Sequence, residues 1–210
     1  MKKIIVYISL IVFMHNCSST ENKKILEIEN KYSDSYEKWS LDTFSKKKQD
    51  SVLYFLNELI KNTKDDFYKI EKVKFLCRLE SYKEALLVFD TLEDTNSISV
   101  DLLKGLIEIK EDSNKETVVL QNIYNKYENE KLEIEEQFYK IALDCYFKGK
   151  NFAFNEIEEI IKNDKISDNN KYIFITLKEI IQNEESNLDI LFILFNLKTE
   201  EIDLSVDSLN

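Results

Sequence analysis

Proline is absent from the 210 residues, and glycine occurs only at Gly105 and Gly149. Tight β-hairpins, bulges and glycine-rich phosphate loops are thereby deprived of their usual residues, which leaves helices joined by short polar turns. Basic charge is also in deficit. Lysine and arginine number 29 against 40 acids, for a formal net charge of -11, and a leader carrying Lys2 and Lys3 but no acid would take two positive charges away with it. Phosphate backbones need clustered cations on one face, and the main basic run, Lys46, Lys47 and Lys48, is short and flanked by acids. Nucleic acid is therefore not an expected partner, and a solvated helix face accounts for the run. Apolar residues make up 43% of the chain, enough to bury a core and too many for a chain disordered by composition.

The N-terminus carries a positive start at Lys2 and Lys3, an apolar run over residues 4–14, and then His15, Asn16, Cys17, Ser18 and Ser19. An apolar run of about eleven residues suits a secretory signal and is too short to span a bilayer. A cysteine directly after such a run, followed by Ser18, Ser19 and Thr20, resembles the processing site of bacterial lipoproteins, although Met14 and Asn16 stand where that family has leucine and a small residue. The resemblance implies removal of residues 1–16, with lipid attached to Cys17 and the protein held at a membrane of the bacterial cell envelope, the outer membrane or cell surface before the inner one. Two or more acyl chains would suffice for stable anchoring. Ordinary cleavage after the small residues 17–19, giving a soluble secreted protein, is the alternative. Residues 17–45 are polar and predict a tether that turns helical by about Tyr36, with Ile25, Leu26, Ile28, Tyr32, Tyr36 and Trp39 available to dock on the first helices of the folded part.

From Val52 onward the apolar positions recur at helical spacing, beginning with Val52, Phe55, Leu56, Leu59 and Ile60. Polar clusters at residues 62–66, 94–97, 126–131 and 163–170 separate helix pairs, and smaller breaks near Glu80, Ser113, Gly149 and Glu185 divide each pair. Pairs thus begin near residues 65, 97, 132 and 169, a step of about 32 to 37 residues, as in solenoids whose neighbours cover one another's apolar faces. The expected domain runs over 46–197, with a tail over 198–210.

Within it, Val73, Leu76, Leu79, Tyr82, Ala85, Leu86, Phe89 and Leu92 resemble a tetratricopeptide repeat, in which an aromatic opens the second helix and a small alanine lets the helices approach. Phe138, Ile141, Ala142, Cys145, Tyr146 and Gly149 form a second, partial match. The resemblance implies an all-α fold: a right-handed solenoid of about four to five antiparallel helix pairs. A plain helical bundle is the alternative.

Cys77 and Cys145 fall on the first helices of two pairs that are not adjacent, roughly 20 Å apart by helix packing and beyond the ~7 Å limit for a disulfide, so both are expected in the core. Asp94, Asn96 and Asp101, and again Asp164, Asp168 and Asn170, crowd oxygen ligands as calcium loops do, but neither set has the required glycine or terminal glutamate. Glu133, Glu135, Glu136, Glu156, Glu158 and Glu159 supply carboxylates in plenty, yet a glycosidase pair must flank a deep pocket. No catalytic role, metal or cofactor is expected.

In such a solenoid the first helices line a concave groove, and by phasing Leu103, Ile107, Tyr139, Leu143, Tyr146 and Phe174 reach it. The same residues could instead pack neighbouring repeats together. The tetratricopeptide family commonly holds peptides there, which implies a scaffold or adaptor for a protein or peptide partner, with basic character favoured by the acidic surface. An acidic inhibitor or immunity-type protein that neutralises a basic toxin is one alternative, and a carbohydrate-capturing lipoprotein is another, with Trp39 its main support.

Overall fold

A computed structural model describes residues 20–93 and 96–197. The leader, Cys17, the tail over 198–210 and Asp94 lie outside the described residues. Among those residues every regular element is a helix: α1 (Thr20–Ser40), α2 (Lys46–Thr63), α3 (Asp66–Arg78), α4 (Tyr82–Phe89), α5 (Ile98–Glu111), α6 (Glu116–Tyr127), α7 (Ile134–Lys148), α8 (Lys150–Lys162), α9 (Asp168–Asn183) and α10 (Asn187–Leu194), with one 3-10 turn at Ser113–Lys115. The four expected pairs are α3/α4, α5/α6, α7/α8 and α9/α10, and their internal breaks fall where the polar punctuation placed them. Two compact units divide the chain, one ending at Tyr68 and the other starting at Lys69.

In the first unit, α1 and α2 pack as a helical hairpin. α1 begins at Thr20, well before Tyr36, so the expected tether is helical over Thr20–Ser40 and a turn over 41–45. Its stripe of Ile25, Ile28, Tyr32, Ser35 and Trp39 steps by three and four residues, the seam pattern of two long helices. Ser35 broke the visible periodicity, but its hydroxyl meets that of Ser51 on α2 at 3.1 Å and is thereby satisfied inside the seam. Across from it Val52, Leu56 and Leu59 are fully buried, and Ile28, Leu59 and Tyr68 form a core with Ile25, Tyr32, Phe55 and Ile60 against it. The Tyr68 hydroxyl donates to Glu29.

In the second unit, helices pack in chain order: α4 on α5, α5 on α6, α6 on α7, α7 on α8, α8 on α9 and α9 on α10, while α7 also touches α5 and α9. α5 and α6 approach closely because Gly105 has no side chain; a Cβ there would lie 2.7 Å from Val119 and 2.8 Å from Ile123. Ala85 and Ala142, the small residues of the two repeat-like stretches, are fully buried. Cys77 and Cys145 are buried free thiols, and burial pushes the Cys77 thiol up to about 12. Asp101 takes hydrogen bonds from Lys126 at 2.7 Å and Tyr127 at 2.8 Å, so its carboxylate serves the α5–α6 contact.

With so little glycine, other residues must close the helices. Lys64, Glu80 and Asn196 all have φ between 55° and 59°, in the left-handed region where a Cβ is costly. At Glu80 the turn is fixed by Ser81 N–H donating to the Leu76 carbonyl at 2.9 Å and Glu80 N–H to that of Cys77 at 3.0 Å. Glu80→Gly should relieve this strain and raise stability by about 1 kcal/mol in urea or thermal unfolding; a lowered midpoint would show that the glutamate side chain contributes more than its backbone costs.

Candidate functional site

In the second unit a cleft of about 830 Å³ is bounded by the α6–α7 loop, α7 and α8. Leu132, Ile134, Ile141, Ile160 and Ile166 supply its apolar lining. Glu128, Glu130, Glu133, Asp144, Glu156 and Glu159 bring six carboxylates to it, against the ammonium groups of Lys131 and Lys140. Of the carboxylates singled out in the sequence, Glu133, Glu156 and Glu159 thus converge, whereas Glu158 turns away to Lys178 at 2.5 Å and Lys162 at 3.3 Å.

Asp144 is the buried acid of the set, with its side chain 2% exposed. Lys140, one turn before it, lies 2.5 Å from Oδ2. Lys148, one turn after, forms an ion pair with Oδ1 at 2.9 Å. Both ammonium groups also sit over the ring of Tyr124 on α6, at 5.1 Å and 5.6 Å, where the π face favours cations. The interaction with Asp144 pushes the Lys148 ammonium well above the ordinary lysine range. Lys140 is therefore committed to Asp144, which leaves the rim of the cleft short of positive charge.

Glu156 faces the cleft from α8. Its Oε2 is buried without a hydrogen-bond partner among the described residues. Burial, followed by the nearby charge of Asp144, raises its carboxyl above the ordinary range, with Lys140 and Lys148 pulling the other way. A cationic group entering here would supply what the carboxylate lacks.

Of the residues expected from helix phasing to reach a groove, four are buried and two are tyrosines in contact with neighbouring segments. Leu103, Ile107, Leu143 and Phe174 are buried, at 2% exposure or less, and serve to pack helices together. Tyr139 is half-buried and stacks on Phe195 at 5.2 Å, and burial raises its hydroxyl. Tyr146 donates to Glu116 at 2.6 Å, and burial together with that bond pushes its hydroxyl up to about 12. On α7 part of the covering comes from α10, which packs on α7 as well as on α9. Asn187 donates to the Cys145 carbonyl at 3.0 Å, and Ile190, Leu191 and Phe192 are buried. Residues 190–195 are apolar throughout, and a helix without a polar face has to be covered on several sides. That run was the available signal that the groove would be filled at α7. For the acidic cleft no signal existed in spacing, because its walls come from a loop and two helices.

Two outcomes arise from the charges. Asp144→Ala leaves Lys140 and Lys148 without their buried acid and should cost about 3 kcal/mol in denaturant unfolding, with more than half of that recovered when Lys140→Met is added. Glu156 is raised in the folded state, so its contribution is full below the unfolded value and is lost as pH rises through the folded one. Glu156→Gln should accordingly stabilise the protein at neutral pH, the advantage vanishing below about pH 4 in thermal melts run across that range. A constant difference at all pH values would contradict the assignment.

The chain matches no family model, no curated protein and no solved structure, and the lining of the cleft is therefore what defines the chemistry it can hold.

Proposed function

We propose that the protein is a non-catalytic, membrane-anchored helical-repeat adaptor of the bacterial envelope whose cleft holds a basic amphipathic segment of a partner protein. The observation that carries this reading is the cleft itself: an apolar lining set among six carboxylates, of which half-buried Glu156 keeps one buried oxygen short of a hydrogen-bond partner. An amphipathic segment meets both requirements, apolar side chains against the isoleucines and lysine or arginine toward the rim. The second unit's architecture is proposed as a right-handed, tetratricopeptide-like solenoid. Serial packing of α4 on α5, α6 on α7 and α8 on α9, with first helices α5, α7 and α9 side by side, supports it, and α10 crossing α7 departs from a plain repeat. Anchoring is proposed through lipid on Cys17, as the sequence motif implies.

An acidic inhibitor of a basic toxin is the second reading, favoured by the same excess of carboxylates. Salt distinguishes the two. Recovery of a partner from detergent-solubilised membranes should persist at high salt for an adaptor with apolar contacts and vanish for charge neutralisation. In either case Glu133→Lys/Glu159→Lys should lower recovery at least about tenfold, since like charges would face the partner's cations. Recovery untouched by the double substitution would remove the cleft from the account. Metabolic labelling with a fatty acid should mark the parent and not Cys17→Ala, and an unlabelled parent, or labelling that survives the substitution, would remove the anchor.

A further inference from the structure

The first unit carries a feature that the adaptor reading does not use. Leu41 and Phe44, in the turn between α1 and α2, are 81% and 85% exposed, the most exposed large apolar side chains among the described residues. The turn that presents them is well tied. The Thr43 carbonyl accepts hydrogen bonds from the Trp39 indole N–H at 3.2 Å and from the Gln49 amide at 2.9 Å, and Asp42 N–H donates to the Trp39 carbonyl at 2.9 Å. Trp39 itself is buried and packs on Tyr36 with ring centroids 5.3 Å apart. Beside a tryptophan taken into the seam, two apolar side chains are held outward by a braced turn.

The charge around that tip is opposite to that of the chain. Residues 37–50 hold Lys38, Lys46, Lys47 and Lys48 against Glu37, Asp42 and Asp50, a small local excess of cations in a protein of net charge -11. Asp42 is matched by Lys48 at 3.1 Å, and Asp50 by Lys46 at 3.4 Å. Lys38 and Lys47 have no carboxylate partner among the described residues. Because charges separated by more than about 8 Å are largely screened at physiological salt, a surface meeting the tip senses this local positive collar before the acids elsewhere. Two projecting apolar side chains within a ring of flexible cations match the interface of an anionic bilayer, with acyl chains taking the former and headgroups the latter.

We propose that the α1–α2 turn is a membrane-contact tip that inserts Leu41 and Phe44 into the interface of an anionic lipid bilayer, with Lys38, Lys46 and Lys47 on the headgroups. The contact is independent of acylation at Cys17.

The test uses the full chain with Cys17→Ala, sedimented with vesicles of phosphatidylcholine alone or mixed equally with phosphatidylglycerol. The N-terminal apolar run contributes equally to every variant, so differences belong to the tip. The parent should partition more strongly onto the anionic vesicles, and Leu41→Ser/Phe44→Ser should lower that partitioning at least about tenfold, with unchanged circular dichroism because both side chains are exposed. Phe44→Trp gives a second readout, a blue-shifted emission quenched by brominated lipid. Equal partitioning of parent and double variant, no preference for anionic vesicles, or emission from the Phe44→Trp variant that brominated lipid leaves unquenched would each overturn the proposal. So would a parent that ignores vesicles but forms a dimer lost in the double variant, which would assign the tip to a second copy of the chain.

Discussion

The second unit depends on a carboxylate kept in the interior by two lysines of its own helix. Asp144 on α7 is gripped by Lys140 and Lys148, one turn to either side, and Tyr124 on α6 receives both cations on its ring. α7 touches α5, α6, α8, α9 and α10, and residues 141–145 along it are buried. Charge on such a helix survives only where it is compensated within hydrogen-bonding reach, and the i, i+4 spacing provides that from both directions. Buried ion pairs are weak contributors to net stability but costly to break, so the triad's effect is to make one arrangement of α6 and α7 much better than its neighbours.

The same triad shapes the cleft. Lys140 is spent on Asp144, and the remaining acids on the lining are left in excess. Asp144 in turn raises the Glu156 carboxyl, which burial has already disfavoured as an anion. A protein selected for stability alone would replace such a group, and its presence beside an apolar lining is what supports the proposed role of the cleft.

The first unit manages polarity differently. Its seam accepts Ser35 because Ser51 lies opposite, and it accepts Trp39 because the Thr43 carbonyl takes the indole proton. Both of these buried polar groups are answered by one on the partner helix or the adjoining turn. Bracing the turn leaves Leu41 and Phe44 outside, so order in the backbone and exposure of apolar side chains have one cause.

Helix positions and their pairing were legible in the sequence, because periodicity, polar breaks and the absence of proline are properties of residues near one another in the chain. Gly149 at the α7–α8 break and the burial of Ala85 and Ala142 belong to the same class. The seam of α1 was present in the spacing of Ile25, Ile28, Tyr32 and Trp39, but a serine on the buried side obscured it. Which faces stay open was decided only in three dimensions. Leu103, Ile107, Leu143 and Phe174 were on helix faces that could have bordered a groove, and they became core because neighbouring helices close over them. Likewise Glu133, Glu156 and Glu159 were unremarkable acids until the fold of a loop and two helices faced them into one cleft. Local patterning fixes where a helix runs and which side is apolar; what covers that side is set by segments distant in sequence, and no spacing rule carries that information.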